Sequence, residues 1–151
     1  MIHTLPRLPD TPYWTRFQGR FHGFPLWNML DRFWPVLENS GGAWFIHDLE
    51  SGVVPDQPAS DAEFSAILGS AVEMYAPARS RSFSGVVFVD DVNTPGFVKL
   101  FDPWKMGASC GSSGARTMPR YVLTRMQPDP LPIIECDQHK PGLFARVAGR
   151  G

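Results

Sequence analysis

Cysteine is scarce in this chain: Cys110 and Cys136 are the only two among 151 residues. Two thiols do not make the disulfide framework of a small secreted module, and in a reducing compartment they stay unpaired. Long apolar runs are missing as well. Nothing approaches the roughly 18 residues that a membrane helix needs. The first residues, MIHTLPRLPDTPYW, are broken by proline and hold no apolar stretch of a secretory leader. These absences predict a cytoplasmic chain without membrane contact. Charge is modest, with 19% Asp, Glu, Lys and Arg and a net of −1. No basic run supplies the electrostatic footprint of a nucleic-acid binder. No internal repeat, P-loop, dinucleotide fingerprint or nucleophile elbow is present, so no motif calls for a cofactor.

Aromatic residues are plentiful: 11 Phe, 5 Trp and 3 Tyr. With 43% hydrophobic residues they support one packed domain over 1–151. Residues 1–25 are rich in proline and aromatics. They read as an extended arm that packs Tyr13, Trp14, Phe17, Phe21 and Phe24 on the body, since buried aromatics dominate core energetics. An exposed aromatic face for a partner is the alternative.

The stretch PLWNMLDRFWPVLENSGG predicts a helix with Leu26, Met29, Leu30, Phe33 and Leu37 on its apolar side. Pro25 suits the first turn, Pro35 should kink the helix or end it early, and Gly41 and Gly42 stop it. AWFIHDLE reads as a strand. SDAEFSAILGSAVEMYAP opens with Ser60 and Glu63 at capping-box spacing. Its apolar face is Phe64, Ile67, Leu68, Ala71, Val72 and Tyr75, and Pro77 closes it. SGVVFVDD and GFVKLFD flank the turn VNTP as a hairpin, PRYVLTRM alternates as a strand, and PIIEC would add a short edge strand. Helices grouped ahead of strands joined by short turns predict an α+β fold. In it, two helices pack on one face of a mainly antiparallel sheet of about five strands.

The loop SCGSSGART is the most distinctive segment. The spacing Cys110-x5-Arg116, followed by Thr117, resembles the signature loop of cysteine-dependent tyrosine phosphatases. The resemblance implies Cys110 as nucleophile, Arg116 on the phosphate oxygens and Thr117 supporting the thiolate. Asp90, Asp91 or Asp102 would be the general acid. Ser109, Gly111, Ser112, Ser113 and Gly114 are small enough for their amides to turn inward as an anion nest. The resemblance covers about eight residues. In that family a buried strand feeds the cysteine, a helix starts at the arginine, and a histidine stands where this chain has Ser109.

Two other readings compete. Cys110, Cys136 and His139, with His47 or His22 as a fourth ligand, offer soft and imidazole donors to a metal, although a firm zinc signature has two close pairs. Alternatively, Gly107, Gly111 and Gly114 simply allow tight turns, with Cys110 as a small packed residue. In between stands a loop over 107–117 that binds a small anion or a partner. Asp90 and Asp91 are adjacent, so a strand would point them to opposite faces, and a turn-capping role fits them better than a catalytic dyad. FDPW reads as a turn, and ARSRS as solvated basic surface. The expectation is a binding or accessory domain, with a protein partner or a second copy of itself, and no cofactor or metal.

Overall fold

The computed structural model describes residues 8–105 and 117–131. The element order is α1 (Pro12–Phe17), β1 (His22–Gly23), α2 (Trp27–Glu38), β2 (Phe45–Asp48), α3 (Asp61–Tyr75), β3 (Val87–Val89), β4 (Phe97–Leu100) and β5 (Tyr121–Thr124). The five strands form one antiparallel sheet in the order β1-β3-β4-β5-β2. The α+β class and the antiparallel sheet are as the sequence predicts. The predicted strand Pro132–Cys136 lies outside the described residues.

Side-chain alternation divides the sheet into two buried faces. Val87, Val89, Val98, Leu100 and Leu123 point to one face, where Leu30, Phe33 and Leu37 of α2 and Phe64, Leu68 and Ala71 of α3 cover them. Phe97 and Val122 point to the other face, under Tyr13, Trp14 and Phe17. Two helices therefore lie on one face, as expected, and a third element covers the opposite one.

That third element corrects the extended arm. Residues 12–17 are a short helix, with the Thr11 hydroxyl accepting from the Trp14 amide at 3.4 Å and Pro12 in the first turn. Packing is as expected: Tyr13, Trp14, Phe17 and Phe24 are buried and Phe21 is half-buried.

The α3 capping box forms. The Ser60 hydroxyl accepts from the Glu63 amide at 3.1 Å, and Glu63 Oε1 accepts from the Ser60 amide at 2.8 Å. After Tyr75 the chain tightens into a 3-10 turn over Ala76–Ser80, so Pro77 ends the α-helix without ending the winding. In α2, Pro35 neither breaks nor shortens the helix, which runs on to Glu38. Pro35 and Asp31 are both on the exposed side, where the carbonyl that loses its helical donor meets water.

The inward phase of α2 differs from the prediction. Trp27 is buried, and its indole donates to the Arg81 carbonyl at 3.0 Å. That anchor sets the rotation and leaves Leu26 and Met29 exposed. Val72 of α3 is likewise on the solvent side.

Candidate functional site

Ser109, Cys110, Gly111, Ser112, Ser113, Gly114 and Arg116 lie outside the described residues, as do Cys136 and His139. The described residues do fix where the loop is rooted. It connects β4 to β5, which are hydrogen-bonded neighbours. On the way in, the chain turns at Asp102, whose Oδ1 accepts from the Trp104 amide at 2.9 Å and whose carbonyl accepts from the Lys105 amide at 3.0 Å. FDPW is thus the turn its sequence suggested. On the way out, Thr117 is half-buried, and the chain runs through Pro119 and Arg120 into β5.

This frame departs from the phosphatase arrangement. The buried strand β4 ends at Leu100, ten positions before Cys110, and a strand rather than a helix follows Arg116. The helix dipole that would support a bound phosphate is therefore replaced by a strand end, which has no comparable dipole.

The root also carries its own ion network. Arg120 pairs with Asp48, and its Nε lies 3.2 Å from Glu50 Oε1; Lys105 Nζ lies 2.7 Å from Glu50 Oε2. The Lys105 hydrogen bond holds the Glu50 carboxyl below its usual range, and the same bond holds the Lys105 ammonium above its own. With Asp102 beside them and Arg81 on Pro103 and Trp104, three carboxylates stand with three cations among the described residues of the root.

Asp90 and Asp91 are engaged by their own turn. Asp90 Oδ1 accepts from the amides of Asp91, Gly96 and Phe97 at 2.8, 2.9 and 3.1 Å. Its Oδ2 lies 2.6 Å from Arg16 Nη2. Asp91 Oδ1 accepts from Asn93 and Thr94 at 2.9 and 3.1 Å. The pair caps the β3–β4 turn, as its sequence position suggested. His47 is buried, and its Nδ1 meets the Tyr13 hydroxyl at 2.7 Å. His22 and His47 sit on opposite edge strands, four strand steps apart. At about 4.8 Å per step that is roughly 19 Å, so they cannot share an ion. Among the described residues no group of three His, Cys, Asp or Glu is placed to hold a metal.

The ARSRS segment is not free basic surface. Arg79 grips Asp31 with two bonds of 2.8 and 2.7 Å, and its guanidinium lies 5.2 Å from the Trp27 ring. Arg81 stacks 4.5 Å from the Trp104 ring and donates to the Pro103 carbonyl at 3.3 Å. Arg125, within the PRYVLTRM segment, is a second such device. It lies 4.1 Å from the Trp44 ring and donates to the carbonyls of Gly41, Ala43 and Ser40. Burial lowers its pKa from the usual arginine value. An open groove of about 330 Å³ beside Trp44, lined by Glu38 and Asp61, is the seam between α2, α3 and this turn.

What the sequence concealed is a surface around the start of α2. Leu26 is 50% exposed, Phe83 61% and Trp104 58%. The Ser84 amide donates to the Pro25 carbonyl at 2.9 Å, which brings the backbone segment that carries Phe83 to the one that carries Leu26. The Trp27–Arg81 bond and the Arg81–Trp104 stack continue the surface to Trp104. Met29 and Val36, seven residues apart on one flank of α2, are also exposed. The apolar arc of α2 is thus wider than the part that the sheet buries. The only available signal was that Leu26, Trp27 and Met29 cannot all face one way.

Comparison with protein-family models, with curated protein sequences and with solved structures gives no match. Among the described residues, no helix is long and apolar enough to cross a membrane.

Proposed function

We propose that this chain is a cytoplasmic binding or accessory domain that docks a protein partner on the surface around the start of α2. One observation carries the proposal: Leu26, Phe83 and Trp104 are large, apolar and outward-facing, and hydrogen bonds through Pro25, Trp27 and Arg81 tie their segments together. Apolar side chains left outside in a linked group, with arginines at the rim, have the composition of an interface core. We further propose loop 107–117 as a second contact point for a ligand or partner, reached from the same sheet end as Trp104.

The test places a photo-crosslinking residue at position 83, and a control one at Val53, which is 67% exposed in the loop between β2 and α3. Crosslinking from position 83 should trap a discrete protein, or a second copy of this chain, and Leu26→Glu should abolish the product. Leu26→Glu should leave the unfolding midpoint near wild type, because surface substitutions stay within about 0.5 kcal/mol. Equal capture from positions 83 and 53 would refute the proposal. So would a loss of stability in Leu26→Glu on the scale of a core substitution.

A further inference from the structure

We propose that His47 is a pH-sensitive latch: mild acid protonates its imidazole and releases α1 from the sheet, baring the face formed by Phe97 and Val122. His47 is 1% exposed, inside the cluster made by Leu8, Tyr13, Trp14, Leu49, Phe97 and Val122. Its Nδ1 meets the Tyr13 hydroxyl of α1 at 2.7 Å. A neutral imidazole carrying its proton on Nε2 accepts that hydroxyl hydrogen. A proton taken from solvent at Nδ1 makes both ring nitrogens donors. The Tyr13 oxygen would then have to turn and accept, and its own hydrogen would lose its buried acceptor.

The charged surroundings are few. On α1 the Tyr13 hydroxyl is held un-ionised by burial, and Arg16 turns outward to Asp90. On β2 itself Asp48 is adjacent but bonded to Arg120. Beyond β5, Asp129 is the other carboxylate that favours the imidazolium. On β4, Lys99 stands in the same cross-strand row as Val122 and His47, its ammonium 4.1 and 4.0 Å from the rings of Phe17 and Phe21. Burial outweighs the two carboxylates and holds the His47 pKa below its usual value.

The sign follows. The released state titrates near the free-histidine value of about 6.5 and the latched state lower. Latching is complete above about 6.5 and weakens as pH falls, because the open state binds the extra proton. Between the two values, one proton taken up on opening shifts the equilibrium about tenfold per pH unit.

α1 is the element that yields. It has 6 residues, too few to be stable alone. Its attachments are the Tyr13, Trp14 and Phe17 side chains, the Trp14 indole on the Pro130 carbonyl at 3.2 Å, and the exposed Arg16 pair.

The experiment is amide hydrogen exchange across pH 7 to 5 on the full chain, expressed as protection factors so that intrinsic pH effects cancel. Protection of residues 14–18 should fall about tenfold per unit below about 6.5, while that of α3 holds. His47→Gln should flatten the α1 profile. The proposal is overturned if α1 and α3 lose protection together, if α1 does not respond, or if the Gln variant keeps the response. Should that variant not fold, the imidazole is followed by NMR in the native chain. A midpoint for His47 that coincides with α1 opening supports the latch, and separate midpoints overturn it.

Discussion

Asp90 offers the sharpest separation between a carboxylate that builds the fold and one held ready for chemistry. Its Oδ1 gathers three turn amides at 2.8–3.1 Å, and its Oδ2 holds Arg16 at 2.6 Å. The Asp90 side chain is 17% exposed and Arg16 54%. A bond to a charged acceptor contributes about 1.5–3 kcal/mol, but the three donors share one oxygen and water reaches part of the site. About 1 kcal/mol per amide, near 3 kcal/mol together, is the working figure. The Arg16 pair adds at most about 1 kcal/mol because one partner is largely solvated. Asp90→Ala should therefore cost about 3–4 kcal/mol. Asp90→Asn keeps an oxygen without the charge and should cost roughly half of that. Arg16→Ala should cost no more than about 1 kcal/mol. In a chain of this length the alanine variant corresponds to a fall in Tm of about 6–16 °C.

Urea unfolding followed by far-UV circular dichroism and by tryptophan fluorescence would read the series, with an unchanged slope confirming that only stability moved. The order Ala, then Asn, then Arg16→Ala is the essential result. Removing a catalytic carboxylate is often neutral or stabilising, because active sites give up stability for function. An Asp90→Ala protein as stable as wild type would refute the turn-capping assignment and return Asp90 to the catalytic candidates. An Arg16→Ala cost equal to that of Asp90→Ala would show that the ion pair, not the amides, is what Asp90 serves.

Gly42 and Gly41 both have positive φ, 74° and 66°, but a Cβ at Gly42 would stand 2.6 Å from Arg125 Nη1 while one at Gly41 meets nothing within 4 Å. Both alanine variants should lose about 1–2 kcal/mol to the left-handed backbone. Gly42→Ala alone should lose more and shift tryptophan emission as the guanidinium leaves Trp44; equal costs and equal spectra would refute the role given to Arg125. The alkylation rate of Cys110 against pH, measured with Cys136→Ser, should report an ordinary thiol near pH 8.5, because the described root pairs its cations with carboxylates and the chain after Arg116 leads into a strand, not a helix N-terminus. A midpoint below about 7.5 would revive the phosphatase-like chemistry.

Much of the scaffold was legible because local signals and burial agree there. Ser60 and Glu63 form the capping box their spacing announced, and Val87–Val89 pairs with Phe97–Leu100 across the turn that VNTP marked. Thr11 and Pro12 also form an N-cap and first-turn pair, yet the surrounding prolines masked a helix too short to show a period. Pro35 does not end the helix early because the hydrogen bond that it removes faces water. The site was less legible for a different reason. Asp90 and Asp91 look reactive as letters but are taken up by the amides of their own turn, and Arg79, Arg81 and Arg125 are engaged by a carboxylate, carbonyls or rings far away in sequence. Conversely, Leu26 and Met29 look like core in a linear pattern, and only Trp27, anchored on Arg81, decides that they are surface.

The two faces of the sheet are covered unequally, and this asymmetry bears on function. α2 and α3, of 12 and 15 residues, are long enough to hold a regular apolar face, and α3 is capped on both sides of its first turn. α1 has 6 residues and is attached by aromatic side chains, one buried imidazole contact and one solvated ion pair. Half of its residues are buried, so what sets it apart is its length, which leaves it few backbone hydrogen bonds of its own, and local opening draws on such units first. α1 is therefore the helix that the proposed latch releases. The surface around Leu26 and Phe83 belongs to the better-anchored side, so a partner docked there would meet a preformed shape and lose little in ordering it. The face under Tyr13 and Trp14 is the one whose exposure pH can set. Docking and release are thereby assigned to opposite faces of one sheet, and a partner bound at Phe83 should leave the pH profile of α1 unchanged.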